Sequence, residues 1–191
     1  YVAVIGGEGD YVVVYDDNSR DIDEVWGVRL RANGIPNGRP YTLVKNGYNA
    51  SDPTTSGSIL AWVDDRSGST DIWAVRLNRN GLPDGDEYSI ATAVDEETNP
   101  AFGSGQLVWN VCDPATGMDI RGAQVYDNGR TRGRSQGILV PAADQSWPAT
   151  GDGGLVIFSD NRSGEFDLYG IRLANGRTRG REFPILQEIV P

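Results

Sequence analysis

The sequence has no histidine, one cysteine, one methionine and one lysine among 191 residues. Without imidazole, the side chain that titrates nearest neutrality and most often ligates metals, histidine-dependent catalysis is excluded. Cys112 by itself closes no disulfide within the chain. No apolar run approaches the ~18 residues that a membrane-crossing helix needs, and no charged and then apolar leader reads as a signal peptide. The chain opens on Tyr1 rather than methionine, close to a repeat boundary, as in a processed protein or an excised domain. Also missing is any long apolar stretch at helical spacing with caps at its ends, so almost no helix is expected.

The abundant residues point the other way. There are 25 glycines and 10 prolines, which suits short strands joined by tight turns. A length of 191 residues is ordinary for one all-β domain. The formal charge of −10 opposes nucleic acid, whose phosphates need a concentrated basic face. Lys45 is the only lysine, so nearly every cation is an arginine, the residue that makes forked pairs with carboxylates.

Self-comparison finds four repeats at a period of 47 to 48 residues, marked by the acids Glu24, Asp71, Asp119 and Asp167. Asn-Gly turns recur at Asn33-Gly34, Asn80-Gly81, Asn128-Gly129 and Asn175-Gly176, each with a second glycine four residues on, a hairpin signal. Pro53, Pro100 and Pro148 give a third register, with Pro191 closing the chain. Alternating apolar runs predict a buried strand at 11–15, 59–63, 107–111 and 155–158, and its antiparallel partner at 25–30, 72–77, 120–125 and 168–173. Outer strands are expected at 41–44, 87–90, 137–140 and 182–186. A further strand is plausible at 1–5 but weak in later repeats, where Thr54-Thr55-Ser56-Gly57 and Ala101-Phe102-Gly103-Ser104 form strands poorly. The expected architecture is an all-β, four-bladed β-propeller in a single domain, with repeats at about 1–52, 53–99, 100–147 and 148–191. The repeats either close on themselves, bringing the last blade to the first, or belong to a longer array.

Two segments, Asp64-Asp65-Arg66-Ser67-Gly68-Ser69-Thr70-Asp71-Ile72-Trp73 and Ser159-Asp160-Asn161-Arg162-Ser163-Gly164-Glu165-Phe166-Asp167-Leu168-Tyr169, resemble the SDR-G-x-x-DIY signature of TolB-like, WD40-like propeller repeats. The first repeat departs, with its arginine displaced to Arg20 and Glu24 in place of the later Asp. The third departs further at Cys112-Asp113-Pro114. The resemblance implies a propeller fold and no common ligand, because propellers serve enzymes, receptors and scaffolds alike.

Physically the motif reads as a structural brace in which an arginine lies between a carboxylate ending one strand and another beginning the next. Its members are Asp17, Glu24, Asp64, Arg66, Asp71, Asp119, Asp160, Arg162 and Asp167. The acidic loop from Asp16 to Glu24 has oxygens enough for calcium but lacks the glycine and spaced glutamate of an EF-hand loop, so no metal is assigned. Acids in register with the repeat fit a brace, whereas a catalytic pair breaks symmetry, so no catalytic residue, cofactor or enzyme activity is expected. Tyr15, Trp62, Trp109 and Phe158 fall in register as core, while Trp147, Tyr1 and Tyr48 fall outside it.

The first 100 residues carry a net −9 and the remainder −1. Arg130, Arg132, Arg134, Arg177, Arg179 and Arg181 gather in the matching turns of two successive repeats, a candidate assembly surface for acidic loops of other copies. The leading expectation is a non-catalytic structural or protein-interaction module, extracellular, cell-surface or periplasmic, that binds proteins or copies of itself in an array or filament. A glycan-binding propeller is the alternative, and a glycoside hydrolase comes third.

Overall fold

The computed structural model describes residues 2–6, 10–19, 21–92, 95–133, 135–139 and 143–186. Within them the chain forms sixteen β-strands and one 3-10 turn, Asp152–Gly154. The strands make four antiparallel sheets, each built from four consecutive strands in sequence order. The first blade holds β1 (Val2–Gly6), β2 (Asp10–Asp17), β3 (Glu24–Arg31) and β4 (Tyr41–Val44). The second holds β5 (Ala50–Ser56), β6 (Ile59–Asp64), β7 (Asp71–Arg76) and β8 (Tyr88–Ala91). The third holds β9 (Glu96–Gly103), β10 (Gln106–Asp113), β11 (Gly117–Gln124) and β12 (Gln136–Leu139). The fourth holds β13 (Gln145–Thr150), β14 (Leu155–Asp160), β15 (Asp167–Ala174) and β16 (Arg177–Leu186). The all-β, four-bladed expectation is met.

The first strand expected at 1–5 is β1, whereas the first strands of the later blades were underestimated from sequence. Strands β5, β9 and β13 are as real as β1, and the approximate repeat boundaries at 52, 99 and 147 fall inside them. The prolines that mark the repeat sit in these strands at register shifts, between Ser51 and Thr54 in β5 and between Ser146 and Ala149 in β13. A bulge on an edge strand is where proline's missing N–H costs the ladder nothing. The residue before each proline, Asp52, Asn99 or Trp147, has φ near +50°.

The Asn-Gly hairpins differ in one blade. Asn175 and Gly176 both have positive φ, and Ala174 pairs directly with Arg177, so β15 and β16 join through a two-residue turn that matches strand twist. In the other three blades the connection is longer and touches the ladder only at an isolated bridge, Leu30 to Pro36, Leu77 to Pro83 and Val125 to Thr131.

The molecule divides into two compact units, the first with blades one and two plus Asp127–Gly129, the second with blades three and four. Each unit has its own core, made where one blade stacks on the next. Strand alternation gives every blade two faces, and within each unit the forward face of the first blade packs on the rear face of the second. In the first unit Val12, Val14 and Val25 of the forward face bury against Leu60, Trp62, Val75 and Leu77 of the next rear face. In the second unit Val108, Ile120 and Ile138 meet Val156, Phe158, Ile171 and Leu173 in the same way. Fully burying one such side chain stabilises the fold by about 1.5–3 kcal/mol, so stacking is what holds each unit together.

Candidate functional site

The motif arginines build a compact cluster in two blades. Asp64 ends β6 with its carboxylate fully buried, and Arg66 bonds it through Nε at 2.7 Å and Nη2 at 2.6 Å. The indole N–H of Trp62 and the amide of Asn46 donate to the same carboxylate at 3.0 and 2.8 Å. Burial alone would raise the Asp64 carboxyl, yet the bonds from Arg66, Trp62 and Asn46 outweigh it and hold the group below its ordinary value. The bond to Asp64 in turn raises the Arg66 guanidinium, which also stacks 3.9 Å above the Trp73 ring. Blade four repeats the arrangement, with Arg162 on Asp160 at 2.8 and 2.5 Å and 4.4 Å above the Tyr169 ring.

The second carboxylate of each cluster is not the one expected. Arg66 reaches Glu87 at 2.6 Å and Arg162 reaches Glu182 at 2.5 Å, both at the outer strand rather than at the start of the return strand. Asp71 and Asp167 instead accept from the hydroxyls of Ser67 and Ser163. In blade three Thr116 donates to Asp119 at 2.6 Å, and in blade one Glu24 pairs with Lys45 at 3.3 Å. Asp17 accepts from the Ser19 backbone N–H at 3.0 Å. Arg20 and Arg134 lie outside the described residues. Arg130, Arg132, Arg177, Arg179 and Arg181 are all exposed.

Polar locks join successive blades at equivalent places, and nothing in the sequence singled them out. The Asp16 carboxylate accepts from the bulged N–H of Asp52 at 3.3 Å, and Asn110 Oδ1 accepts from the bulged N–H of Trp147 at 3.1 Å. Asp16 and Asn110 occupy the same forward-face register, where blade four has Ser159. A second lock sits beside the first strand: Asn49 Nδ2 donates to Asp65 at 2.7 Å in blade two, while in blade four Asn161 Nδ2 donates to Asp144 at 3.2 Å, the two residue types exchanged. Each pair also accepts from the preceding blade, through the N–H of Asp23 in one case and of Met118 in the other.

The Asn-Gly end is locked as well. Arg29 Nη2 donates to the Asn80 carbonyl at 2.5 Å, and Gly81 lies so close to blade one that a Cβ there would stand 2.8 Å from Val12 Cγ2. A Cβ on Gly176 would stand 3.2 Å from the Gln124 nitrogen, and one on Gly129 would strike the buried Tyr88 hydroxyl, whose pKa burial pushes up to about 12. These turns frame two open hollows, about 730 Å³ beside Arg29, Arg76 and Asn80 and about 520 Å³ beside Gln124, Arg132 and Gly176.

Burial is uneven between register equivalents. Leu168, on the forward face of blade four, is 38% exposed, whereas its register equivalents Val25, Ile72 and Ile120 are each 0% exposed. On the rear face of blade one, Tyr15 and Trp26 are only half-buried, and Gly34 has open space where the other Asn-Gly glycines abut a neighbour. Elsewhere, Trp147 is 62% exposed with its ring 6.2 Å from that of Phe166. Among the described residues no acidic or cysteine cluster is placed to hold a metal, and no helix is long and apolar enough to cross a membrane.

No protein-family model and no curated protein matches the chain. Solved structures do, and they establish a TolB-like β-propeller fold. A puromycin-hydrolysing peptidase from Mycobacterium tuberculosis is 20% identical with a TM-score of 0.58, over 92% of this chain and 29% of that one. TolB from Acinetobacter baumannii is 15% identical with a TM-score of 0.60, over 92% of this chain and 42% of that one. A chain of the nidogen–laminin complex is 16% identical with a TM-score of 0.55, over 91% of this chain and 59% of that one. The chain thus spans less than two thirds of the length of each.

Proposed function

We propose that the chain is a non-catalytic, exported protein-interaction module. The observation that carries this reading is the contrast between its polar and apolar groups. Its motif arginines and their carboxylates are consumed in internal bonds, while Trp147, Phe166 and Leu168 are 62%, 52% and 38% exposed. Large apolar side chains left exposed mark a place where another protein can dock. The likeness to a propeller solved in a nidogen–laminin complex supports it, and the peptidase likeness argues little for catalysis because this chain matches only 29% of that one. Export rests on the near-absence of cysteine and on the acidic, arginine-braced surface. A photoreactive residue placed at position 168 tests the reading, with crosslinks to protein expected in extract from the source cells. Their absence would overturn it.

The second reading is glycan binding, favoured by Trp147. A tryptophan before proline at φ 48° is held in a conformation that suits asparagine or aspartate, its equivalents in blades two and three. Strain in an exposed aromatic, paired with exposed Phe166, is what a sugar-stacking platform would need. Saturable binding on a glycan array, lost in Trp147→Asn, would establish it.

A further inference from the structure

We infer that the hollow at the Asn-Gly end of the second unit is a binding site for a small sugar that carries an oxyanion, a carboxylate or a phosphate. It rests on neither reading above. The hollow is about 520 Å³, the size of a small-ligand site, and Gln124, Arg132, Gln136, Asn175, Gly176 and Arg177 line it. All of them belong to the second unit, so its walls come from blades three and four alone. No carboxylate lies among the lining residues. Every long side chain there carries N–H donors, and two are cations in a chain whose formal charge is −10. The motif arginines differ. Arg66 and Arg162 each hold two carboxylates, whereas Arg132 and Arg177 meet none among the described residues. The Arg132 backbone N–H donates to the Gln124 carbonyl at 2.8 Å, which fixes the arginine beside the hollow, while its Nη1 makes only a long contact, 3.4 Å, to Gln124 Oε1. The rest of that fork is left to face an oxyanion.

The first unit has a hollow at the equivalent place, and it is built differently. There Arg29 is spent on the Asn80 carbonyl at 2.5 Å, Ile5, Val12 and Leu77 supply an apolar wall, and Asp84 brings a carboxylate. Blade three changes both residues that set this register. Val12 faces Arg29, Ile59 faces Arg76 and Leu155 faces Arg172, but in blade three two amides, Gln106 and Gln124, stand directly opposite each other. Gln106 is 5% exposed, and its Oε1 has no hydrogen-bond donor among the described residues. That oxygen is 3.9 Å from where a Cβ on Gly176 would stand, at the edge of the hollow. An unmet buried acceptor weakens a fold, and an apolar residue such as the leucine of blade four would avoid the loss. A hydroxyl of the bound sugar is the donor it lacks, while the arginines take the charged group and the amides of Gln124 and Gln136 take further hydroxyls.

Isothermal titration of the full chain with glucuronate, glucose 6-phosphate and neutral glucose reads the site. At least one charged sugar is expected to bind and glucose is not, and which of the two binds names the oxyanion. Arg132→Gln is expected to weaken binding by about tenfold or more, and added salt to weaken it in the wild type. Gln106→Leu separates a ligand site from a structural accident. It is expected to weaken binding by about tenfold while leaving the urea midpoint unchanged or higher, because the unmet acceptor is gone. Arg79→Gln, at the first unit's hollow, and Trp147→Asn are expected to leave the affinity unchanged. Silence from both charged sugars at millimolar concentration overturns the proposal, and so does glucose binding as tightly as they do. Binding that survives both Arg132→Gln and Gln106→Leu, or that Arg79→Gln or Trp147→Asn abolishes, puts the ligand elsewhere and overturns it too. Crosslinking at position 168 and the glycan array with Trp147→Asn read other places on the chain, so those readings stand or fall separately.

Discussion

Blades two and three put different residues into one register and show what the motif is for. In blade two Asp64 takes the indole N–H of Trp62 and is answered by Arg66. In blade three Val111 stands at the place of Asp64, and the equally buried Trp109 finds no acceptor for its N–H among the described residues. Both tryptophans are 0% exposed and both blades fold, so the core is indifferent to the brace. What the brace adds is a fixed hairpin: Arg66 ties the end of β6 to Glu87 before β8.

Putting the acid without its arginine into blade three should do the most damage. Val111→Asp buries a carboxylate that has only an indole to meet it and should cost about 3 kcal/mol or more, read by urea unfolding, with Asp113→Arg added to the same chain recovering part of the loss. Arg66→Ala should cost about 2 kcal/mol, less than a fully buried pair would, because the guanidinium keeps some solvent. Replacing each tryptophan by phenylalanine isolates the N–H. Trp62→Phe should cost about 1 kcal/mol more than Trp109→Phe, and equal losses would mean the indole bond is idle. Trp147→Asn should stabilise by about 1 kcal/mol, by matching the residue to the backbone that Asn99 already adopts.

Acid should separate the blades by the same logic. Hydrogen bonds hold the Asp64 carboxyl below its ordinary 3.8 despite its burial, so its contribution is complete above that value and is lost as pH falls through the lower folded value. Stability measured by urea unfolding should therefore fall below about pH 4. Asp64→Asn should be weaker at neutral pH and show a shallower acid limb.

The repeat, its strand pairs and its turns were readable because period-2 alternation and Asn-Gly turns are local signals. The first strands of the later blades were not, since Pro53 and Pro148 read as boundaries when they are bulges within β5 and β13. The brace was half legible. Asp64 and Arg66 are two residues apart, but Glu87 lies 21 residues from Arg66 and only the fold brings it near. The inter-blade locks left no trace at all, because Asp16 to Asp52 and Asn110 to Trp147 are contacts between neighbours in space whose types differ from blade to blade.

The exchanged pair beside the first strand has a consequence for how such blades diverge. Asn49 with Asp65 and Asp144 with Asn161 are the same amide–carboxylate bond written in opposite orders. Changing Asn49 to Asp alone would set two negative charges face to face, and changing Asp65 to Asn alone would leave two amides to share one bond. A sequence passing from one order to the other must therefore cross a less stable intermediate, and a blade transplanted between the two settings has to carry both residues with it.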